Sequence, residues 1–173
     1  MAVNRTVTLL PDAGPLITLA YADALGLLLK SGWSVALVDM VLHEVTRNKT
    51  PTSARIATWA SDNKIPVLET RTYHRYRQVD AAAPARKANL GELAIQEAMT
   101  GFGLAAEQTG VFLFEDHKIA RASFLLPENC RKVSTRAFLL FLEQQGLIES
   151  AADVERRAIL AGRQFSQIRF PPE

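Results

Sequence analysis

Four carboxylates occupy comparable places in this chain, each close behind a short apolar run. Asp12 directly follows the run in "TVTLLPDAGPLI", and Asp116 follows "VFLF" after one intervening residue, Glu115. Glu44 lies in "DMVLHEV", one turn into the helix expected after the second run, and Glu92 lies in "NLGELAIQEA", in a first helical turn. Each has an ordinary explanation. Asp12 suits the cap of one helix, Asp116 suits the cap of "HKIARAS", and Asn89-Leu-Gly-Glu92 fits a capping box. Glu44 suits a solvated helix face, with Asp39 as the cap of its helix. Singly these readings suffice, but together they leave the shared location unexplained. Close carboxylates cannot all stay ionised cheaply unless a cation neutralises them. An all-oxygen donor set favours Mg²⁺ or Mn²⁺ over zinc.

The elements that must position these acids are legible as runs of strand length at 6–10, 35–38, 65–68 and 111–114, with a weaker one at 131–133. The clearer runs are continuous rather than alternating, as expected of strands buried on both faces. Helical segments lie between them. The alternation predicts an α/β fold, a three-layer α/β/α arrangement around a central parallel sheet of about five strands. Ligands of such sheets bind beyond the carboxyl ends of the strands, which is where the four acids are expected to converge. Pro15 suits a first helical turn, and Ser150-Ala-Ala-Asp153 resembles a capping box. Gly146 and Gly162 mark helix ends. Residues 70–89 read as less regular, and the "QIRFPPE" tail as extended. Residues 1–145 form the expected α/β domain, with 146–173 a C-terminal helix and tail packed on it.

The bulk properties set outer limits. The chain has 173 residues, 48% of them hydrophobic, enough for one domain with a real core. Its formal charge of +2 is too mild to establish a nucleic-acid partner, so the local placement of charge matters more. The single cysteine, Cys130, excludes an internal disulfide framework and a multi-cysteine zinc site. A reducing, cytoplasmic setting is the expectation, with no signal pattern and no membrane span.

"LLPDAGPLI", "VDMVLHEV", "NLGELAIQEAM" and "VFLFEDHKIAR" together resemble the PIN-domain family over roughly residues 6–145. The resemblance implies a PIN-like fold and a metal-dependent endoribonuclease leaving 5′-phosphate and 3′-hydroxyl ends. It also implies Asp12, Glu44, Glu92 and Asp116 as its catalytic acids. Within that family the likeness is to VapC-like toxins and to PIN-like proteins found beside small antitoxin-like genes. They imply the toxin of a toxin–antitoxin pair, an antitoxin partner and a homodimer. The last helix, 151–161, and the "FPPE" tail are candidate partner surfaces. Phosphodiester hydrolysis needs an activated water and a stabilised leaving oxygen. Two ions about 3.5–4 Å apart serve both needs, although one or two ions remain open. Asp12, Glu92 and Asp116 are the expected metal ligands, Asp12 as the bridge. Glu44 is expected to bind through water or to orient the attacking one. One departure is Phe114, where the family often has Ser or Thr two residues before its last acid, and Glu115 could replace or supplement Asp116.

RNA must also be held. "RTYHRYRQ" offers Arg71, Arg75 and Arg77 for phosphates, with Tyr73 and Tyr76 for stacking. A solvated basic turn or an antitoxin-binding edge explains it equally well. Arg121 is a further candidate for RNA. The histidines have no metal-ligand spacing. A haloacid-dehalogenase-type site would show Asp-x-Asp after the first strand, and a dinucleotide site Gly-x-Gly-x-x-Gly; neither is present. The serious alternative is a non-catalytic PIN-like module that binds RNA or protein.

Overall fold

The computed structural model describes residues 6–79, 90–115 and 126–164. The first apolar run becomes β1 (Thr6–Pro11), whose buried second half enters the middle of a parallel sheet. β2 (Ser34–Val35) pairs with one edge of β1, and β5 (Gln108–Phe114) pairs with the other. β6 (Cys130–Ser134) lies outside β5, so the order is β2-β1-β5-β6. A second parallel ladder joins β3 (Leu37–Val38) to β4 (Val67–Leu68).

Among the described residues the main ladder has four strands and a two-stranded ladder lies beside it, close to the expected sheet of about five. The two ladders meet at Ala36. Its N–H bonds to the Leu9 carbonyl at 3.1 Å, whereas the next N–H, from Leu37, goes to Pro66 at 2.9 Å. Successive N–H groups of a strand point to opposite edges, so residues 34–38 offer one edge to β1 and the other to β4.

Helices flank the sheet to complete the three-layer α/β/α arrangement. They are α1 (Ala13–Tyr21), α2 (Asp39–Thr46), α3 (Ser53–Asp62), α4 (Arg71–Val79), α5 (Leu90–Gly103), α6 (Thr135–Gln144) and α7 (Ala151–Leu160). A short 3₁₀ helix, Leu25–Leu29, follows α1. Leu9, Leu10, Phe112 and Leu113 from the central strands meet Leu16 and Leu19 of α1, Met40 of α2, Met99 of α5 and Phe138 of α6 in one core. Burying a side chain of this kind contributes roughly 1.5–3 kcal/mol. Trp33 stacks on Phe141 with ring centres 5.4 Å apart.

The C-terminal pair is tied to the same body. Ser134 caps α6, its hydroxyl accepting the Ala137 N–H at 3.0 Å, and Ser150 accepts the Asp153 N–H at 3.2 Å as the capping-box pattern predicts. Arg136 meets Glu155 through two bonds of 2.9 Å, which link α6 to α7. Ala151, Val154 and Ala158 turn the buried stripe of α7 inward, and α7 packs against α1. Gly146 and Gly162 have φ of +72° and +115°, conformations that favour glycine just past a helix. Among the described residues no helix is long and apolar enough to cross a membrane.

The strand order positions the site. From β1 the chain crosses to β2, and from β5 it crosses to β6 on the opposite side. Where successive connections diverge in this way, a crevice opens at the carboxyl ends of the two strands. Here those ends are Pro11 and Phe114, leading straight into Asp12 and Glu115.

Candidate functional site

Asp12 is fixed by its backbone. Pro11 pairs with Leu113, and the Asp12 N–H extends that ladder with a bond to the Leu113 carbonyl at 2.9 Å. Asp12 holds the N-cap position of α1 with extended φ and ψ of −77° and 177°, yet its side chain makes no capping hydrogen bond. The cap reading of Asp12 is thereby corrected. Position alone would allow a cap, but the half-buried carboxylate is not spent on the helix.

Glu115 sits at the end of the neighbouring strand and folds over the first turns of α1. Its Oε2 accepts the Thr18 hydroxyl at 2.9 Å and lies 3.3 Å from an Arg163 guanidinium nitrogen. Oε1 is buried and has no hydrogen-bond partner. Gly14 makes this approach possible, since a Cβ there would stand 3.1 Å from the Glu115 Cβ.

Glu44 and Glu92 form a second pair. The Glu44 carboxylate rests against the start of α5 and accepts the Gly91 N–H. A Cβ on Gly91 would come 2.8 Å from Glu44 Oε2, so glycine is what lets the acid in. Burial raises the Glu44 pKa above its ordinary 4.5, and repulsion from Glu92 adds to the rise; Arg47 and the Gly91 N–H oppose it. Glu44 is thus not the solvated helix acid that its sequence allows. Asp39, expected to cap α2, is its first residue. It accepts the Met40 N–H, the Thr70 N–H and the Thr70 hydroxyl, each at 2.7 Å. That carboxylate serves structure.

Asp116 and Arg121 lie outside the described residues, as do the expected cap at Asn89, the "HKIARAS" segment and the "FPPE" tail. Among the described residues no three His, Cys, Asp or Glu side chains come together closely enough to hold an ion. The fold sets Asp12 and Glu115 at adjoining strand ends, and it brings Glu44 close to Glu92 at Gly91. α2, which carries Glu44, packs against both α1 and α5.

The basic segment is more ordered than its sequence suggests. Residues 71–79 form α4, a correction to the irregular reading, and the helix depends on a tertiary contact. Glu97 of α5 accepts the Arg71 N–H at 2.7 Å and the Thr72 N–H at 3.1 Å, satisfying two donors that a helix start leaves open. The alternation of arginine and tyrosine thus separates onto different sides. Arg71, His74, Arg75 and Arg77 are exposed, while Tyr76 is buried against His43 at 5.3 Å. Stacking of a base on Tyr76 is thus corrected, because its ring belongs to the core. Tyr73 is half-buried, with the Arg77 guanidinium 5.9 Å from its ring centre. A cleft of about 630 Å³ opens here, lined by Glu69, Arg71, Tyr73, His74, Arg77 and Glu97 among others. It lies at the carboxyl end of β4.

Sequence reasoning missed Glu97, Thr18 and Arg163. No local pattern announces them, since each acts across a large separation along the chain. No protein-family model matches the chain, and no curated protein is significantly similar to it.

Proposed function

We propose that this chain is a metal-dependent endoribonuclease of the PIN type, acting as the toxin of a toxin–antitoxin pair. The observation that carries the reading is the placement of Asp12 and Glu115 at the β1–β5 divergence, where a sheet of this order binds its ligand. The donor set suits a hard divalent cation. Asp12 is not engaged in capping its helix, Glu115 has a buried oxygen lacking a donor, and Glu44 and Glu92 repel one another. Asp12, Glu92 and Asp116 would hold one or two Mg²⁺ or Mn²⁺ ions, with Glu115 beside them. When bound, such an ion supplies Lewis-acid stabilisation of the cleaved phosphate and lowers the pKa of a water.

The protein's own residues supply the rest. Glu44, anchored by the Gly91 N–H, orients the attacking water and receives its proton, since burial favours its protonated form. Arg71, Arg75 and Arg77 hold phosphates on the exposed side of α4, with Arg121 a further contact proposed from sequence alone. Asp12→Asn keeps the size of the side chain and removes its charge. Purified Asp12→Asn protein is expected to keep the wild-type circular dichroism and lose Mn²⁺-dependent cleavage of single-stranded RNA. Undiminished cleavage by that variant would sink the assignment.

One observation favours a second reading, a PIN-like module that binds without cutting. Phe114 places no hydroxyl beside the last acids. The hydroxyl of its register partner, Ser134, accepts the Ala137 N–H as the cap of α6. Mn²⁺ binding with no turnover on any RNA pool would support that module.

A further inference from the structure

Glu115 is held by one oxygen only. Thr18 donates its hydroxyl to Oε2 at 2.9 Å, and Arg163 reaches the same oxygen at 3.3 Å. Arg163 Nε also donates to the Thr18 Oγ1 at 2.9 Å, so the three side chains brace one another. The brace is secluded: the Glu115 and Arg163 side chains are 8% and 18% exposed, and Thr18 is 1% exposed. Against this, Glu115 Oε1 is equally buried and accepts nothing. A carboxylate oxygen left so is unfavourable unless a further donor or cation meets it.

The brace comes from far along the chain. Arg163 stands just past α7, after the turn at Gly162, and its own N–H returns to the Ala158 carbonyl at 2.9 Å. Its guanidinium is therefore delivered by a fixed helix end, and Glu115 is confined between that end and Gly14 of α1.

We infer that Arg163 is a positioning residue, which with Thr18 fixes Glu115 so that Oε1 serves as a further ligand for a divalent cation at the β1–β5 mouth. The inference rests on the metal reading above. Two effects of Arg163 on a cation have opposite signs. Its charge repels the ion, and its hydrogen bonds hold the ligand in place. A Glu115 carboxylate without its brace turns away from the site toward water, and that removes a ligand. Loss of an outer partner of a metal ligand typically weakens binding by about 10- to 100-fold, so positioning outweighs repulsion.

The test measures Mn²⁺ affinity of the full chain by electron paramagnetic resonance of the free ion, with metal-free melting temperatures recorded in parallel. Arg163→Ala and the milder Thr18→Val are each expected to weaken Mn²⁺ binding by about 10- to 100-fold. Glu115→Gln is expected to weaken it similarly, and adding Arg163→Ala to Glu115→Gln to change it little further. Thr18→Val decides the matter if Arg163→Ala does not fold. Unchanged or tighter Mn²⁺ binding in these variants, with only the melting temperature lowered, overturns the positioning role, as does full additivity in the double variant. Wild-type protein that binds no Mn²⁺ overturns the metal reading itself, and this inference with it.

Discussion

Two pressures oppose the ionisation of Glu44, its burial and the nearby charge of Glu92. In the folded chain its pKa stands above the ordinary 4.5, so folding favours the protonated form. The sign follows from linkage. Stability from this group is fully present below 4.5 and is lost as pH rises through the raised folded value. Glu44→Gln keeps an acceptor for the Gly91 N–H and cannot ionise. Metal-free Glu44→Gln protein is therefore expected to gain on wild type as pH rises above 4.5, with the difference levelling off once wild-type Glu44 is fully ionised. Chemical denaturation across that range checks it, and a constant difference would remove Glu44 from the group of strained acids. Asp39 marks the contrast at this scale. It is more deeply buried, yet three donors satisfy it, and its role is to pin Thr70 to α2. Sequence alone cannot separate the two acids, because what differs is which donors arrive from distant segments.

Elements explain why some of the site was legible and some not. The strand runs were readable because continuous apolar, β-branched stretches mark strands buried on both faces. Which segments flank residues 34–38 was not, since pairing is settled between segments and not within them. Helix α4 was hidden for a related reason. Tyrosine, threonine and histidine give "RTYHRYRQV" only middling helix propensity, and its start depends on Glu97 from another helix. The contact between α2 and α5 offers the sharpest element-scale prediction. Gly91→Ala should favour α5 by up to about 1 kcal/mol on propensity grounds. The added Cβ, 2.8 Å from Glu44 Oε2, must push that flexible carboxylate aside. The variant is expected to melt within a few degrees of wild type while RNA cleavage falls by about a hundredfold or more. Retained cleavage would show that the seat of Glu44 on Gly91 is irrelevant to the chemistry.

At the scale of the whole molecule, a net charge of +2 cannot draw RNA strongly from a distance, so binding depends on where charge is placed. Parallel strands put every carboxyl end on one edge of its ladder, with Asp12 and Glu115 at β1 and β5 and the arginine-lined cleft at β4. The C-terminal helix closes the arrangement by bracing Glu115 through Arg163, a link between residues 48 apart that no motif announces. The convergence of carboxylates on a cation is the claim on which the rest depends, and anomalous diffraction from crystals soaked in Mn²⁺ tests it most directly. A manganese peak in direct contact with the Asp12 carboxylate at the β1–β5 mouth, lost in Asp12→Asn crystals, is the predicted result. A well-ordered Asp12 side chain with no manganese in contact with it at saturating Mn²⁺ would contradict it.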